Sequence, residues 1–248
     1  MITTSCKTYK NEFDWYCAHT DEYRLIVDYI LRIITRNGIP CGTVLDIGAG
    51  GGNLTLPLSK VFDQVVAIEP NPFYISELHK LDTGSIHVIN AHWPTTNIKI
   101  AVDIALCVHT MYYIDKNQWT KAIMGMLTLL NPGGVVLIVL VSKRIEKYLI
   151  GHIEDTHSCV YAEDMENFLA LSDLVFTSNM IVSTVRVKTI HDCYRVLRFL
   201  SWNSLHKEKV FPNRLRVNQH WPFTVTKECF SLAVPVKIIL PRLKKSTS

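Results

Sequence analysis

Short apolar runs alternate with amphipathic stretches between residues 43 and 141. The apolar runs are TVLDI (43–47), QVVAIEP (64–70), SIHVIN (85–90), VDIALCV (102–108) and GVVLIVLV (134–141). Strands that are covered on both sheet faces have this nearly continuous apolar composition. Because strands that alternate with helices form parallel sheets, we predict an α/β fold with a doubly wound, mostly parallel sheet. The intervening helices are predicted over 54–62, 72–81 and 117–130.

The segments on either side of this core differ from it. Residues 9–37 carry apolar positions at helical spacing, and Asn37-Gly38 ends that pattern. Beyond residue 141 the pattern predicts helices over 162–172 and 193–202 and strands over 174–182 and 230–240. Pro235 lies inside the last strand, where we expect a bulge or a strand end. We predict one domain with an N-terminal helical cap (1–40), a Rossmann-like core (41–183), a helical substrate lid (184–225), and a final strand and tail (226–248).

Composition indicates a folded protein but does not indicate which reaction or ligand the protein serves. The chain is 48% apolar and 19% charged. Its longest apolar run is far shorter than a membrane span, and the first ten residues lack a signal-peptide pattern. A net charge of +4 is too small to predict a nucleic-acid binder. Seven scattered cysteines without a C-x-x-C pair argue against a zinc motif and favour a reducing, cytoplasmic compartment.

The strongest functional signal is the run Asp46-Ile47-Gly48-Ala49-Gly50-Gly51-Gly52, between a predicted strand and a predicted helix. Glycines let the backbone turn sharply and approach a ligand, and Glu69 ends the next strand at the position of a ribose-binding carboxylate. A dinucleotide fingerprint would need glycine where Asn53 stands, and no phosphate-binding P-loop is present. Asp46 would repel a pyrophosphate but pair with an ammonium group. These features favour S-adenosylmethionine, which carries an ammonium group and no phosphate.

The chain resembles class I S-adenosylmethionine-dependent methyltransferases in four motifs. VLDIGAGGGNLTL resembles their first motif, VVAIEP the second, DIALCVHTMYYI the motif of the fourth strand, and LNPGGVVLIV the glycine turn before the fifth. The resemblance covers residues 43–141. It implies a seven-stranded sheet with a reversed final strand, which residues 230–240 could supply.

Residues around the end of the fourth predicted strand indicate the class of methyl acceptor. The segment Val108-His109-Thr110-Met111-Tyr112-Tyr113 lacks the [DN]-P-P-[YF] motif of enzymes that methylate the amino groups of bases. The paired glutamates of protein arginine methyltransferases are also missing. Ligands bind at the carboxyl ends of parallel strands, and an aromatic cavity suits a small, flat acceptor. We interpret five aromatic residues as candidate substrate contacts: Trp15, Tyr16, Tyr112, Tyr113 and Trp202.

A closer resemblance is to the histamine N-methyltransferase family. The segments FDWYCAHTDEYRLIVDYI and HTMYYI carry it. It implies that Glu22 and His109 hold an imidazole, although His109 replaces the family's glutamine and Glu228 falls near its substrate-binding asparagine. The cofactor contacts implied by the two resemblances and the glycine loop are Asp46, Gly48, Gly50, Gly52, Glu69, Pro70, Tyr74, His92, Trp93 and Val108.

We therefore hypothesise an S-adenosylmethionine-dependent N-methyltransferase that acts on a small imidazole or amine. A neutral nitrogen needs no strong base, so alignment of the reactants would supply most of the catalysis. Glu22 would fix the tautomer of the acceptor, and His109 would orient the acceptor or accept its surplus proton. We expect no metal, no nucleic-acid or membrane partner, and a monomer or weak homodimer. The alternatives are methylation of another small molecule or of nucleic acid, and a cofactor-binding module without catalytic activity.

Overall fold

An eight-stranded sheet organises the part of the chain that the computed structural model describes, which is residues 4–81, 84–145, 160–204, 223–226 and 229–243. Strands follow the order β3-β2-β1-β4-β5-β8-β6, and the short β7 pairs with β8. The strands are β1 (Thr43–Ile47), β2 (Gln64–Glu69), β3 (Ile86–Asn90), β4 (Val102–Val108), β5 (Leu130–Val141), β6 (Leu174–Val187), β7 (Thr224–Val225) and β8 (Phe230–Leu243). Strands β1 to β5 are parallel, and β8 runs antiparallel to both β5 and β6. The predicted fold class is confirmed, with the two-residue β7 in addition to the seven expected strands.

Helices cover both faces of this sheet. They are α1 (Thr4–Cys17), α2 (Glu22–Asn37), α3 (Thr55–Leu58), α4 (Pro72–Leu78), α5 (Trp119–Thr128), α6 (Ala162–Ala170) and α7 (Ile190–Ser204). Successive side chains of a strand point to opposite faces. Accordingly, β4 sends Ile104 and Leu106 to the layer of α2 and α7, and Ala105 and Cys107 to the layer of α5 and α6. Among the described helices, none is long and apolar enough to cross a bilayer.

The N-terminal helices confirm the apolar pattern of residues 9–37. Helix α2 buries Ile26, Ile30 and Ile33, which its periodicity places on one face. Gly38 ends the helix in the left-handed conformation with φ 62°, and its N–H donates to the Ile34 carbonyl. This packing anchors α2 on the sheet, so that Glu22 in its first turn lies near the carboxyl ends of the strands.

Several predicted boundaries are wrong. Strand β5 begins at Leu130, so residues 130–133 belong to it and not to the predicted helix or to a turn before the strand. The helix predicted over 54–62 covers only Thr55–Leu58, because the chain must then turn to start β2 at Gln64. Strand β6 continues to Val187, so that residues 184–187 belong to the sheet and not to the predicted lid. Its partner β8 is long enough to pair with this extension, since Val187 is opposite Phe230. Within the predicted lid, α7 is described, and residues 205–222 lie outside the described part.

Pro235 marks neither a bulge nor a strand end, which corrects the prediction. It lies opposite Val182 within an unbroken register between β6 and β8. Its carbonyl accepts the N–H of Ser142, just past the last paired residue of β5, Val141. In an antiparallel strand the N–H and C=O of one residue point to the same neighbour. The missing N–H of Pro235 therefore points beyond the end of β5, and the ladder to β6 is intact.

Candidate functional site

The loop of residues 48–52 turns from β1 into α3 at the carboxyl edge of the sheet. Gly48, Gly50 and Gly52 have φ of 74°, 54° and 87°, a region that favours glycine. A Cβ atom on Gly48 would lie 2.1 Å from Oγ1 of Thr110, and one on Gly52 would lie 2.4 Å from Cδ1 of Leu81. The loop therefore requires glycine both for its backbone angles and for its close contacts.

Two buried carboxylates flank this loop. Glu69 accepts the N–H of Gly50 at Oε2 (2.9 Å) and the N–H of Asn71 at Oε1 (2.8 Å). Asp46 accepts the hydroxyl of Thr55 at Oδ2 (2.7 Å). Burial raises the pKa of Asp46 to about 6 and also raises the pKa of Glu69. No Lys or Arg of the described residues forms an ion pair with either group, so a cationic ligand would relieve the cost of their burial.

Aromatic rings of α1 and α7 cover the loop. The Phe13 ring lies 3.7 Å from where a Cβ atom on Gly50 would be, and it packs edge-on against the Tyr74 ring of α4. The hydroxyl of Tyr113 donates to the hydroxyl of Tyr9 (2.7 Å) and so joins the turn after β4 to α1. Phe199 of α7 contacts both Tyr9 and Phe13. These rings form an aromatic cover over the space beside the glycine loop.

Helix α1 is also held by ion pairs. Lys10 lies 2.7 Å from Oε1 of Glu77 on α4, with its ammonium 5.2 Å from the centre of the Tyr74 ring. Arg195 of α7 pairs with Glu12 at 2.8 Å.

The Tyr74 hydroxyl is buried and has no hydrogen-bond partner within the described structure. An unsatisfied buried hydroxyl beside the glycine loop is a group that a bound ligand could satisfy.

Glu22, which is buried, and His109, which is partly buried, form a pair at the end of β4. His109 has a left-handed backbone (φ 52°), and its Nε2 is hydrogen-bonded to Oε1 of Glu22. Its Nδ1 lies 3.0 Å from the Tyr112 hydroxyl, which accepts the N–H of Val141 at 2.8 Å. Glu22 is only 2% exposed, and its Oε2 lies 3.4 Å from the Ser183 hydroxyl. The sequence pattern does not predict this direct contact: Glu22 is engaged by His109 and not left free for an acceptor.

The structure brings most of the predicted cofactor residues together. Asp46, Gly48, Gly50, Gly52, Glu69 and Tyr74 lie around the same loop, with Pro70 between β2 and α4. Val108 is buried and directly precedes His109. Tyr16 is buried and stacks on Phe199, with its ring centre 4.7 Å away. The site thus forms from residues that the sequence distributes between positions 9 and 199.

Other predicted site residues have different surroundings. The Trp15 ring packs under the Arg195 guanidinium (4.1 Å) and against His19, which accounts for it as a contact between α1 and α7. The Trp93 indole donates to the Ala122 carbonyl of α5 (3.2 Å), so its packing needs no ligand. His92 is exposed. The Trp202 side chain and the whole of Glu228 lie outside the described residues.

Three contributors were missed by reasoning from the sequence: Lys10, Ser183 and Phe199. Lys10 and Phe199 belong to amphipathic helices, and nothing in their local pattern indicates which neighbouring helix each one contacts. Ser183 lies at the boundary that was predicted between core and lid. It is fully buried on β6 and also contacts the Val234 carbonyl at 3.2 Å.

Comparisons with known proteins point to one family. A family model described as a methyltransferase domain matches residues 18–177. The ubiquinone biosynthesis O-methyltransferase of Colwellia psychrerythraea is 27% identical over 123 residues, 48% of this chain and 49% of that protein. The chain spans about half the length of the curated relatives it matches.

Solved structures show the same fold at low sequence identity. A SAM-dependent methyltransferase from Leishmania major has a TM-score of 0.56 at 14% identity, covering 89% of this chain and 72% of that one. A structure described as a DhpI-SAM-HEP complex has a TM-score of 0.52 at 17% identity, covering 71% of this chain and 90% of that one. Likeness at these identities is evidence for the fold alone.

Proposed function

The chain belongs to the methyltransferase-domain family, and on that premise we propose that it transfers a methyl group from S-adenosylmethionine to a nitrogen of a small imidazole or amine, such as histamine or histidine. The observation that carries the proposal is the pair of hydrogen bonds that engages both ring nitrogens of His109. A hydroxyl acceptor must lose its proton to become a good nucleophile. A neutral imidazole is already nucleophilic near pH 7. A site whose histidine has no free nitrogen therefore favours an acceptor nitrogen that is already neutral, such as that of an imidazole, with the surplus proton of the methylated ring released to solvent.

The residues around the glycine loop fit S-adenosylmethionine as the cofactor. Asp46 is a buried carboxylate that would pair with the amino-acid ammonium group. Each Glu69 oxygen accepts one backbone N–H and retains capacity for a ribose hydroxyl. The buried Tyr74 hydroxyl could gain its missing partner. When bound, S-adenosylmethionine supplies an electrophilic methyl group on a positively charged sulfur.

The aromatic cover gives the site its remaining chemistry. Phe13, Tyr9 and Tyr113 present ring faces and edges above the loop, and ring faces attract cations. The hydrogen bond between Tyr113 and Tyr9 bridges the space between α1 and the end of β4. In that space the chain would hold the acceptor in line for transfer, and alignment of this kind is worth several kcal/mol.

A second candidate is methylation of a hydroxyl group. Three curated relatives are named as ubiquinone biosynthesis O-methyltransferases. The Glu22–His109 pair has the carboxylate–imidazole composition of a general base. For this reaction His109 would first have to release Nδ1 from the Tyr112 hydroxyl.

We further propose a cytoplasmic enzyme that works as a monomer or weak homodimer without a nucleic-acid or membrane partner. Free thiols at Cys17, Cys41, Cys107, Cys193 and Cys229 support a reducing compartment. The small net charge of +4 argues against a nucleic-acid substrate. Salt-dependent RNA binding by the purified protein would contradict this part of the proposal.

A turnover screen tests the proposed reaction. The full chain is incubated with S-adenosylmethionine and, separately, histamine, histidine, other small amines and phenols, and S-adenosylhomocysteine is measured. Turnover with an imidazole or amine supports the proposal, and turnover with phenols alone supports the second candidate. If no acceptor reacts and calorimetry detects no binding of S-adenosylmethionine, the proposal is wrong.

A further inference from the structure

A continuous set of hydrogen bonds extends from β5 to β6 through His109. The N–H of Val141 donates to the Tyr112 hydroxyl (2.8 Å), which lies 3.0 Å from Nδ1 of His109. Nε2 of the same ring is bonded to Glu22, and the other Glu22 oxygen lies 3.4 Å from the Ser183 hydroxyl. Four structural elements, β5, the turn after β4, α2 and β6, thus converge on one imidazole.

One arrangement of protons gives each group of this network a partner. A backbone N–H only donates, so the Tyr112 oxygen accepts from Val141 and has its own proton left for Nδ1. In it Nε2 of His109 carries a proton and donates a hydrogen bond to the Glu22 carboxylate. Burial raises the pKa of Tyr112 well above its ordinary value, which keeps the hydroxyl a donor. In this arrangement His109 is neutral and in the Nε2–H tautomer.

Burial leaves one side chain of this network accessible. Glu22, Tyr112 and Ser183 are 2%, 7% and 0% exposed, whereas the His109 side chain is 16% exposed. His109 also adopts a left-handed backbone, a conformation that is unfavourable for a residue with a Cβ and persists only where the surroundings enforce it. The accessible part of the network is therefore the His109 ring, whose two nitrogens are already hydrogen-bonded.

We propose that Tyr112 and Ser183 are positioning residues that hold His109 as a neutral, tautomer-fixed aromatic wall against which the methyl acceptor packs. Tyr112 acts on the ring directly, and Ser183 acts through Glu22. The contact with an acceptor depends on the proposed function, whereas the tautomer of His109 does not. The two parts can therefore be tested separately.

Nitrogen-15 NMR of the histidine rings tests the tautomer. The His109 resonances are assigned by their absence in His109→Gln. The wild type should show a protonated Nε2 and an Nδ1 that accepts a hydrogen bond, and Tyr112→Phe should shift the Nδ1 resonance. The matched control is Tyr29→Phe, which removes an exposed hydroxyl bonded to Asn179 (3.0 Å) and should leave the His109 resonances unchanged. A wild-type ring protonated at Nδ1 would overturn the proposal whatever the substrate is.

Kinetics test the positioning role. Tyr112→Phe should lower kcat about ten-fold, the size of effect expected for one hydrogen bond, while the affinity for S-adenosylmethionine changes less than two-fold. Ser183→Ala should lower kcat in the same direction, and Ser183→Thr should restore it because the hydroxyl is retained. Wild-type kcat and an unchanged Nδ1 resonance in Tyr112→Phe would overturn the inference. If the wild type methylates no small amine, the proposed function fails and the NMR result still decides the tautomer.

Discussion

Asp46→Asn should make the cofactor-free protein more stable and its binding of S-adenosylmethionine weaker. Asp46 is 2% exposed, and burial raises its pKa from an ordinary value of 3.8 to about 6. A rise of about 2 in pKa corresponds to about 3 kcal/mol of unfavourable free energy for the ionised, folded state. The asparagine removes the charge and keeps an oxygen to accept the Thr55 hydroxyl.

The sign of the pH dependence follows from the raised pKa. Below about pH 4, Asp46 is protonated in both the folded and the unfolded chain, and the substitution should change stability little. As the pH rises from about 4 to about 6, the unfolded chain loses this proton more readily, so the wild type loses stability that the variant retains. Because a buried amide has its own desolvation cost, we expect a net gain of about 1–2 kcal/mol at pH 8.

Thermal melting at pH 8 and near pH 4.5, with and without S-adenosylmethionine, measures both effects. The gain at pH 8 should raise the Tm of the cofactor-free variant by about 3–6 °C for a chain of this size. Loss of a charge-assisted hydrogen bond should weaken cofactor binding about 10–100-fold by calorimetry. Asp63→Asn, which removes the same charge from an exposed position, should do neither. A variant that is less stable at pH 8 and binds the cofactor normally would refute the reasoning.

Three further predictions concern the acceptor pair, the glycine loop and the helix that covers it. Glu22→Gln and His109→Ala should each lower turnover about 100-fold, because a small misplacement of reacting groups has an effect of this size. Both variants should keep their affinity for the cofactor within a few-fold of the wild type. Loss of that affinity would place the pair in the cofactor site. Gly48→Ala should reduce the free energy of unfolding, measured in urea, by about 3 kcal/mol because the added Cβ would clash with Thr110. The control Gly38→Ala has the same backbone region but open space around it, and should lose about 1 kcal/mol. Equal losses would argue against the clash. Lys10→Met keeps the aliphatic part of the side chain and removes the ion pair to α4. Calorimetry should then show cofactor binding that is weaker by about three-fold or more. Unchanged binding would mean that α1 does not help to retain the cofactor.

The fold could be predicted from the sequence where the signals are local. Local sequence is enough to predict strands β1, β2 and β4, because a strand buried on both faces admits mainly apolar residues. It is also enough to predict the turn at residues 48–52, because positive φ favours glycine. The location of Glu69 beside the glycine loop could be predicted because Glu69 ends β2. The expected sheet and the expected clustering around the glycine loop therefore agree with the structure.

The acceptor side of the site depends on contacts that no local pattern encodes. Glu22 and His109 are 87 residues apart, and His109 has a left-handed backbone although it is not glycine. The environment of Trp15 depends on where Arg195 of α7 lies, and the course of β8 through Pro235 depends on where β5 ends. Such tertiary arrangements determine which of several candidate aromatic or polar residues contact the site.

The proposed reaction is tested most directly with S-adenosylmethionine that carries carbon-13 in its transferable methyl group. The wild-type chain is incubated with this compound and with histamine, histidine or a small amine, and the products are examined by carbon and nitrogen NMR. We predict one new methyl resonance coupled to a nitrogen of the acceptor, formed together with S-adenosylhomocysteine and formed about 100-fold more slowly by His109→Ala. A methyl resonance found only on hydroxyl oxygens, or no transfer to any nitrogen acceptor, would contradict the proposed reaction.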